Sequence, residues 1–314
     1  MRVCYFIQSH RDPEQIHRLV STLRHGSASG VIVVQHDARD FELDWTAFAG
    51  LADVRQFFAR AKQLRSDYSC QVEPYLDVVS WLDREQIHYD WLVNLTAQDY
   101  PVKPVAEIEA FLERSDADGY LRWWDVLSPD SPWSRRKAKA RYWHRYWRLP
   151  AGSERILHGL RFLTAFLPIH VYLVYGPWLG LRRLRTPFRD GFRCYGGWAW
   201  FSLRRDAARF LPGFLRDRPD VEAHYRRTVT AEESLVQTVL VNANRFRLVN
   251  DDLRYIDYAN ADRGSPRILR GGDFPRLASG PWHWARKFDL AVDRGVLDRI
   301  DSELLRAPVA LGLE

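Results

Sequence analysis

V-C-Y-F-I-Q (residues 3–8), P-E-Q-I-H-R-L-V-S-T-L (13–23) and V-I-V-V-Q (31–35) follow one another near the start of the chain, and the fold can be read outward from them. The first and third runs are short, continuously apolar and rich in β-branched or aromatic residues, the pattern of strands buried on both faces. The middle run places Ile16, Leu19, Val20 and Leu23 at helical spacing and stops near Gly26. Further on, a helical segment around 74–82 precedes a strand at 91–95, and a helix opens at Pro104, where proline suits the first turn, before a strand at 120–124. Strands alternating with helices predict an α/β protein with a mixed, mostly parallel sheet and helices on both faces.

Composition narrows the class less than the pattern does. The 314 residues include 46% hydrophobic and 27% charged, as in a soluble globular protein. Thirteen tryptophans suit either a sugar-binding cleft or a Trp-rich core. A formal net charge of +6 favours acidic partners, whether nucleotide sugars, anionic polysaccharide, an anionic membrane face or nucleic acid, and does not choose among them. Cys4, Cys70 and Cys194 are odd in number and widely spaced, which predicts neither a zinc site nor a disulfide framework and points to a reducing compartment. The first residues pass straight into a strand, with no signal-peptide pattern.

The middle of the chain departs from this regularity. Residues 134–147 (S-R-R-K-A-K-A-R-Y-W-H-R-Y-W) interleave basic and aromatic residues. They suit a polyanion groove or, more commonly, the solvated face of a helix with its rings packed beneath. Residues 162–181 carry no Asp, Glu, Lys or Arg and are flanked by Arg161, Arg182, Arg183 and Arg185. Their length could cross a bilayer, but Pro168, Gly176 and Pro177 interrupt them. An interfacial insertion and a buried hairpin both fit. Regular structure is expected again as strands at 198–203 and 253–258 and helices from 205, at 232–241, at 273–278 and at 292–305.

Chemistry is concentrated near the C-terminal end. Arg286 and Lys287 stand side by side after P-W-H-W-A and before Phe288, and two cations held by an apolar segment can neutralise a diphosphate without a metal. Asp116 and Asp118 form D-A-D, which at that spacing suits a divalent cation or, beside Gly119, a turn; the turn is preferred here.

Six segments, in order, resemble glycosyltransferase family 14, the core-2/I-branching β-1,6-N-acetylglucosaminyltransferases and peptide O-xylosyltransferases. They are C-Y-F-I-Q-S-H (4–10), V-V-Q-H-D-A-R (33–39), N-L-T-A-Q-D-Y-P (94–101), G-G-W-A-W-F-S-L (196–203), E-S-L-V-Q-T-V-L (233–240) and W-A-R-K-F-D (284–289). The resemblance is weakest over 126–193. It implies a GT-A-like fold in one catalytic domain: a nucleotide-binding half (1–125), a variable basic and apolar insertion (126–193), and an acceptor- and diphosphate-binding half (194–314). It also implies inverting transfer from a UDP-sugar, a co-substrate, to a hydroxyl, with no cofactor or essential metal.

Inversion is a single displacement, needing one general base and a group that holds the leaving diphosphate. By this resemblance Glu233, near a helix start, is the base, and Arg286 and Lys287 hold the diphosphate, with Arg267 and Arg270 as looser candidates. His10, Asp37 and Arg39 go to the uridine and ribose at strand C-terminal ends, where open α/β sheets bind ligands. Asp99 faces the sugar or orders its loop, and Trp198 and Trp200 line the acceptor cleft. Two departures stand out: Ala199 replaces the Asp that xylosyltransferases carry there, and Arg65 replaces a Trp in the family's W-G-G-type loop. The resulting expectation is a cytoplasmic enzyme, brought to the inner membrane face by 162–181. It acts on a glycan, lipid-linked or small-molecule acceptor, with GlcNAc as donor sugar and no nucleic-acid partner. A xylosyltransferase-like enzyme, a polyanion-binding protein and a member that binds donor without transferring it remain as alternatives.

Overall fold

The computed structural model describes residues 1–38, 41–58, 68–160, 162, 164, 166–174, 176–259 and 265–305. The chain begins with β1 (Val3–Ser9), α1 (Pro13–Gly26), β2 (Val31–His36), β3 (Val54–Phe57) and α2 (Tyr68–Arg84). It continues through β4 (Trp91–Thr96), β5 (Asp99–Pro101), α3 (Val105–Arg114) and β6 (Gly119–Asp125). An insertion follows: α4 (Arg135–Tyr142), β7 (His144–Arg148), α5 (Glu154–Leu160), β8 (Ile169–Tyr172) and β9 (Trp178–Arg182). After it come β10 (Tyr195–Arg204), α6 (Arg205–Asp217), α7 (Pro219–Tyr225) and α8 (Leu235–Ala243). The last elements are β11 (Leu248–Val249), β12 (Arg254–Ile256), α9 (Phe274–Ser279), β13 (Trp284–Arg286) and α10 (Arg294–Glu303).

Seven strands form the central sheet in the order β11-β6-β10-β4-β1-β2-β3. Strands β1 to β4 run parallel, and β10 enters antiparallel between β4 and β6. This is the mixed, mostly parallel α/β sheet expected. Strand alternation sends Tyr5, Ile7, Ile32, Val34, Val93 and Leu95 to one face and Cys4, Phe6, Val31, Val33 and Leu92 to the other. The first face is covered by Ile16, Leu19 and Leu23 of α1, Ile108 and Leu112 of α3, and Val296 and Ile300 of α10. The second is covered by Val78 and Leu82 of α2, Leu211 of α6 and Val239 of α8. Because β10 sits inside the sheet begun by β1 to β4, and β5 pairs with β13, the two halves of the chain share their sheets.

The insertion differs from the helical expectation over 134–147. Helix α4 ends at Tyr142 and the chain turns into β7, where Tyr146 is buried while Arg145 and Trp147 are exposed, a period of two. Strands β7, β9 and β8 form a small antiparallel sheet, so 162–181 contains a hairpin. That hairpin is not wholly buried, because Leu181 of β9 is exposed, and so are Phe162 and Phe166 ahead of it. Among the described residues no helix is long and apolar enough to cross a membrane.

Candidate active site

The turn T-A-Q-D after β4 organises the carboxyl edge of the sheet. The Asp99 carboxylate is fully buried and accepts bonds from the backbone N–H of Thr96 (2.6 Å) and its hydroxyl (2.7 Å). Arg254 donates to the same carboxylate at 3.2 Å and to the Asn94 carbonyl at 2.6 Å. Burial works against the Arg254 charge, and Asp99 opposes that effect. Arg286 lies opposite Asp99 in the β13–β5 register, with Nε 3.9 Å from the carboxylate and its guanidinium 3.8 Å above the Trp200 ring. Its Nε has no hydrogen-bond partner among the described residues. Asp99 therefore faces two arginines and orders its loop. Trp200 is buried as a platform under Arg286 and Arg254.

Two glutamines hold the next residues against the sheet. Gln15, at the start of α1, donates to the carbonyls of Ala97 (2.7 Å) and Phe288 (3.1 Å) and accepts from Leu290 N–H at 3.0 Å. Phe288 N–H donates to the Gln98 carbonyl at 3.0 Å. This brings Arg286 and half-buried Lys287 to the edge where β1 and β2 end. His10 follows β1, and Asp37 follows β2 with its N–H on the Ser9 carbonyl at 2.8 Å. Arg39 and Arg65 lie outside the described residues. Arg267 commits its guanidinium to Asp257 and Asp273, and Arg270 donates its N–H to Asp273.

Strand β10 joins this edge to Glu233. Its register shifts between Gly197 and Phe201, and Asn94 spans the bulge by donating to the Ala199 carbonyl and accepting from Phe201 N–H, each at 2.8 Å. The bulge points Trp198 outward from the ladder, half-buried and stacked on Tyr258 at 4.9 Å. The Trp198 carbonyl accepts from Gln237 of α8 at 2.6 Å. Trp198 meets Trp124 at 5.3 Å, Trp124 meets Trp133 at 4.9 Å, and Arg141 lies 4.6 Å over Trp133.

Arg141 forms an ion pair with Glu233. Glu233 is not in α8 as expected. It ends a 3-10 turn (Ala231–Glu233), and α8 begins only at Leu235, because Ser234 has a non-helical backbone. The cation beside the carboxylate is thus Arg141 from the insertion. A cavity of about 490 Å³ opens here, lined by Glu232, Glu233, Lys137, Arg141, Tyr146 and His170 among others. Burial, then neighbouring Arg141, pulls the Lys137 ammonium pKa down. Asp118 accepts from Arg247 N–H at 2.8 Å, and exposed Asp116 lies 3.8 Å from the Arg247 guanidinium, so both carboxylates sit in a turn away from this cavity.

Sequence reading missed Gln15, Asn94, Arg141 and Arg254. Arg254 carried a signal as a lone Arg in the apolar run L-R-Y-I, and Asn94 and Arg141 lay inside quoted segments without their roles being readable there.

Residues 3–277 match the family model of the Core-2/I-Branching enzymes. The beta-glucuronosyltransferase GlcAT14B of Arabidopsis thaliana is 25% identical to the chain, in an alignment covering 97% of this chain and 66% of that protein. Human xylosyltransferase 2 is also 25% identical, covering 76% of this chain and 25% of that protein. The chain therefore spans less than two thirds of these relatives' lengths. Among solved structures it is similar to the galactosyltransferase LgtC with donor and acceptor sugar analogs (TM-score 0.44, 9% identity, 98% of each chain). It is also similar to S. aureus TarS with UDP-GlcNAc (TM-score 0.36, 12% identity, 80% of this chain and 56% of that one).

Proposed function

The chain belongs to the Core-2/I-Branching enzyme family, and from that premise we propose that it is an inverting glycosyltransferase moving a sugar from UDP to an acceptor hydroxyl. In this reading the acceptor oxygen attacks the anomeric carbon while Glu233 takes its proton. The bond from that carbon to the diphosphate oxygen breaks, and UDP leaves with the bonding pair. Arg286 and Lys287 hold the charge that develops on the diphosphate, in place of a divalent cation. Asp99 and Arg254 position Arg286. His10 and Asp37 meet the nucleoside at the ends of β1 and β2, and the cavity beside Glu233 takes the acceptor. UDP-GlcNAc is the donor in our reading. Similarity to glucuronosyl- and xylosyltransferases makes UDP-glucuronate and UDP-xylose its rivals. The acceptor is a glycan, lipid-linked or small-molecule hydroxyl, and 162–181 makes a peripheral contact with the cytoplasmic membrane face.

The observation that supports this best is Arg286, stacked on Trp200 and braced by Asp99 at the carboxyl edge of the parallel strands. The test is thermal-shift binding of the three UDP-sugars in EDTA and in added Mn²⁺. Stabilisation by UDP-GlcNAc that survives EDTA is expected. Stabilisation only with Mn²⁺ overturns the metal-free mechanism, and no response to any UDP-sugar overturns the donor class.

A further inference from the structure

The insertion carries the chain's charge excess and most of its exposed apolar surface. Residues 126–193 hold 14 Lys and Arg against 3 Asp and Glu, a formal +11, whereas the remainder holds 32 against 37, a formal −5. Seven of the 11 exposed large hydrophobic side chains among the described residues fall within 147–184. They are Trp147, Ile156, Phe162, Phe166, Leu167, Leu181 and Leu184, with Phe166 at 83% and Leu184 at 103% relative exposure.

The small sheet explains how the two properties share one unit. Its cross-strand row Tyr146–Gly180–His170 faces the cavity beside Glu233, with the Tyr146 hydroxyl 2.7 Å from His170 Nδ1. Alternation sends the neighbouring rows, Arg145–Leu181–Ile169 and Trp147–Leu179–Val171, to the opposite face. There Arg145 lies 5.2 Å over Trp147. Among the described residues the insertion's ion pairs are Arg141–Glu233, Arg189–Asp190 and Arg193–Asp125; Arg145 on this face and exposed Arg185 make none.

We infer that this outer face of the insertion docks on a bilayer bearing anionic headgroups. Exposed apolar chains among arginines that make no ion pair with a described residue suit the interface, where rings and aliphatic chains enter the acyl boundary and guanidiniums meet lipid phosphates. A nucleic-acid surface would use the charge but leave the leucines and phenylalanines in water. Because the inner face of the same sheet lines the cavity at Glu233, docking makes the acceptor a lipid-borne hydroxyl. That last step rests on the glycosyl-transfer reading; the docking itself does not.

The experiment is co-sedimentation of the full chain with phosphatidylcholine vesicles with and without phosphatidylglycerol. The variants are Phe166→Asp/Leu184→Asp and Arg145→Gln/Arg185→Gln, each checked for its unchanged melting temperature. Binding at least about tenfold tighter to the anionic vesicles is expected, falling roughly tenfold in each variant. Binding to neither vesicle overturns the inference. So does anionic binding indifferent to the Phe166/Leu184 change, especially if double-stranded DNA binds equally well, because that marks a polyanion surface. The donor thermal shift is measured on the same samples, so loss of docking and loss of donor binding are read separately.

Discussion

Glu233 and Asp99 are both carboxylates paired with arginine, and their surroundings give them opposite work. Glu233 is about a quarter exposed and faces a cavity, so its pair with Arg141 can open to a hydroxyl. The Glu233→Gln variant keeps the size and loses the proton acceptor. Its kcat is expected to fall by roughly 10²–10⁴-fold while the donor thermal shift persists, checked by steady-state transfer assays beside the melting curves. Near-wild-type turnover would remove Glu233 from the mechanism. Asp99 and Arg254 have no exposed side-chain surface, and each is the other's compensation for leaving water. Breaking such a pair from one side leaves a buried guanidinium unneutralised. Asp99→Asn is therefore expected to cost about 3–5 kcal/mol in urea unfolding, and to weaken donor binding because Arg286 loses its brace. A stability loss within about 0.5 kcal/mol, the scale of an ordinary surface change, would show that the pair is not structural.

At the scale of elements, those that were legible carry their own period. Strands β1, β2 and β4 and helices α1 and α3 announce themselves because each buries a face whose spacing is written in Val, Ile, Leu and aromatic residues. Elements whose shape depends on a partner were not. The three-residue strand D-Y-P exists because it pairs with W-A-R, 185 positions later. R-Q in V-R-Q-F hides an edge strand, and the basic run before Tyr142 hid the change from helix to β7. For the site, Glu233 became a candidate only through resemblance, whereas Arg286 and Lys287 already stood out as adjacent cations in an apolar segment. Asn94 lay inside a quoted motif, but its role across the β10 bulge needs the fold. Gly180 shows how strictly one element is set. A Cβ there would lie 2.6 Å from the Tyr146 ring, which is pinned by hydroxyl contacts of 2.7 Å to the Ala140 carbonyl and to His170. Gly180→Ala is expected to destabilise by about 1–3 kcal/mol through overpacking. Because Tyr146 lines the cavity, it should also raise the KM for acceptor more than for donor. Equal change in both constants, measured by varying each substrate, would detach the small sheet from acceptor binding.

Over the whole molecule, buried ionisable groups set how stability follows pH. His224 is 2% exposed, and burial followed by the nearby Arg183 charge lowers its pKa from 6.5 to about 3. His283 is 4% exposed, and burial with Lys103 and Arg254 lowers its pKa from 6.5 to about 4. Both are depressed, so the stability they contribute is full above pH 6.5 and is lost as pH falls toward their folded values. Asp252 acts in the other direction. It is 5% exposed, burial raises its pKa from 3.8 to about 6, and its Oδ2 has no partner among the described residues. Its contribution is full below pH 3.8 and is lost as pH rises through 6. Acidification from pH 6.5 to 4 thus weakens the fold through two histidines and strengthens it through one aspartate. The histidines win, because there are two of them and the His224 gap is the widest. The urea midpoint should therefore fall steadily across that range. Asp252→Asn keeps the acceptor for Arg254 N–H and removes the buried charge. It is expected to add about 2–3 kcal/mol at pH 7 and to steepen the acid loss below pH 6. An Asp252→Asn profile parallel to the parent's from pH 4 to 7 would show that Asp252 titrates alike in the folded and unfolded chain.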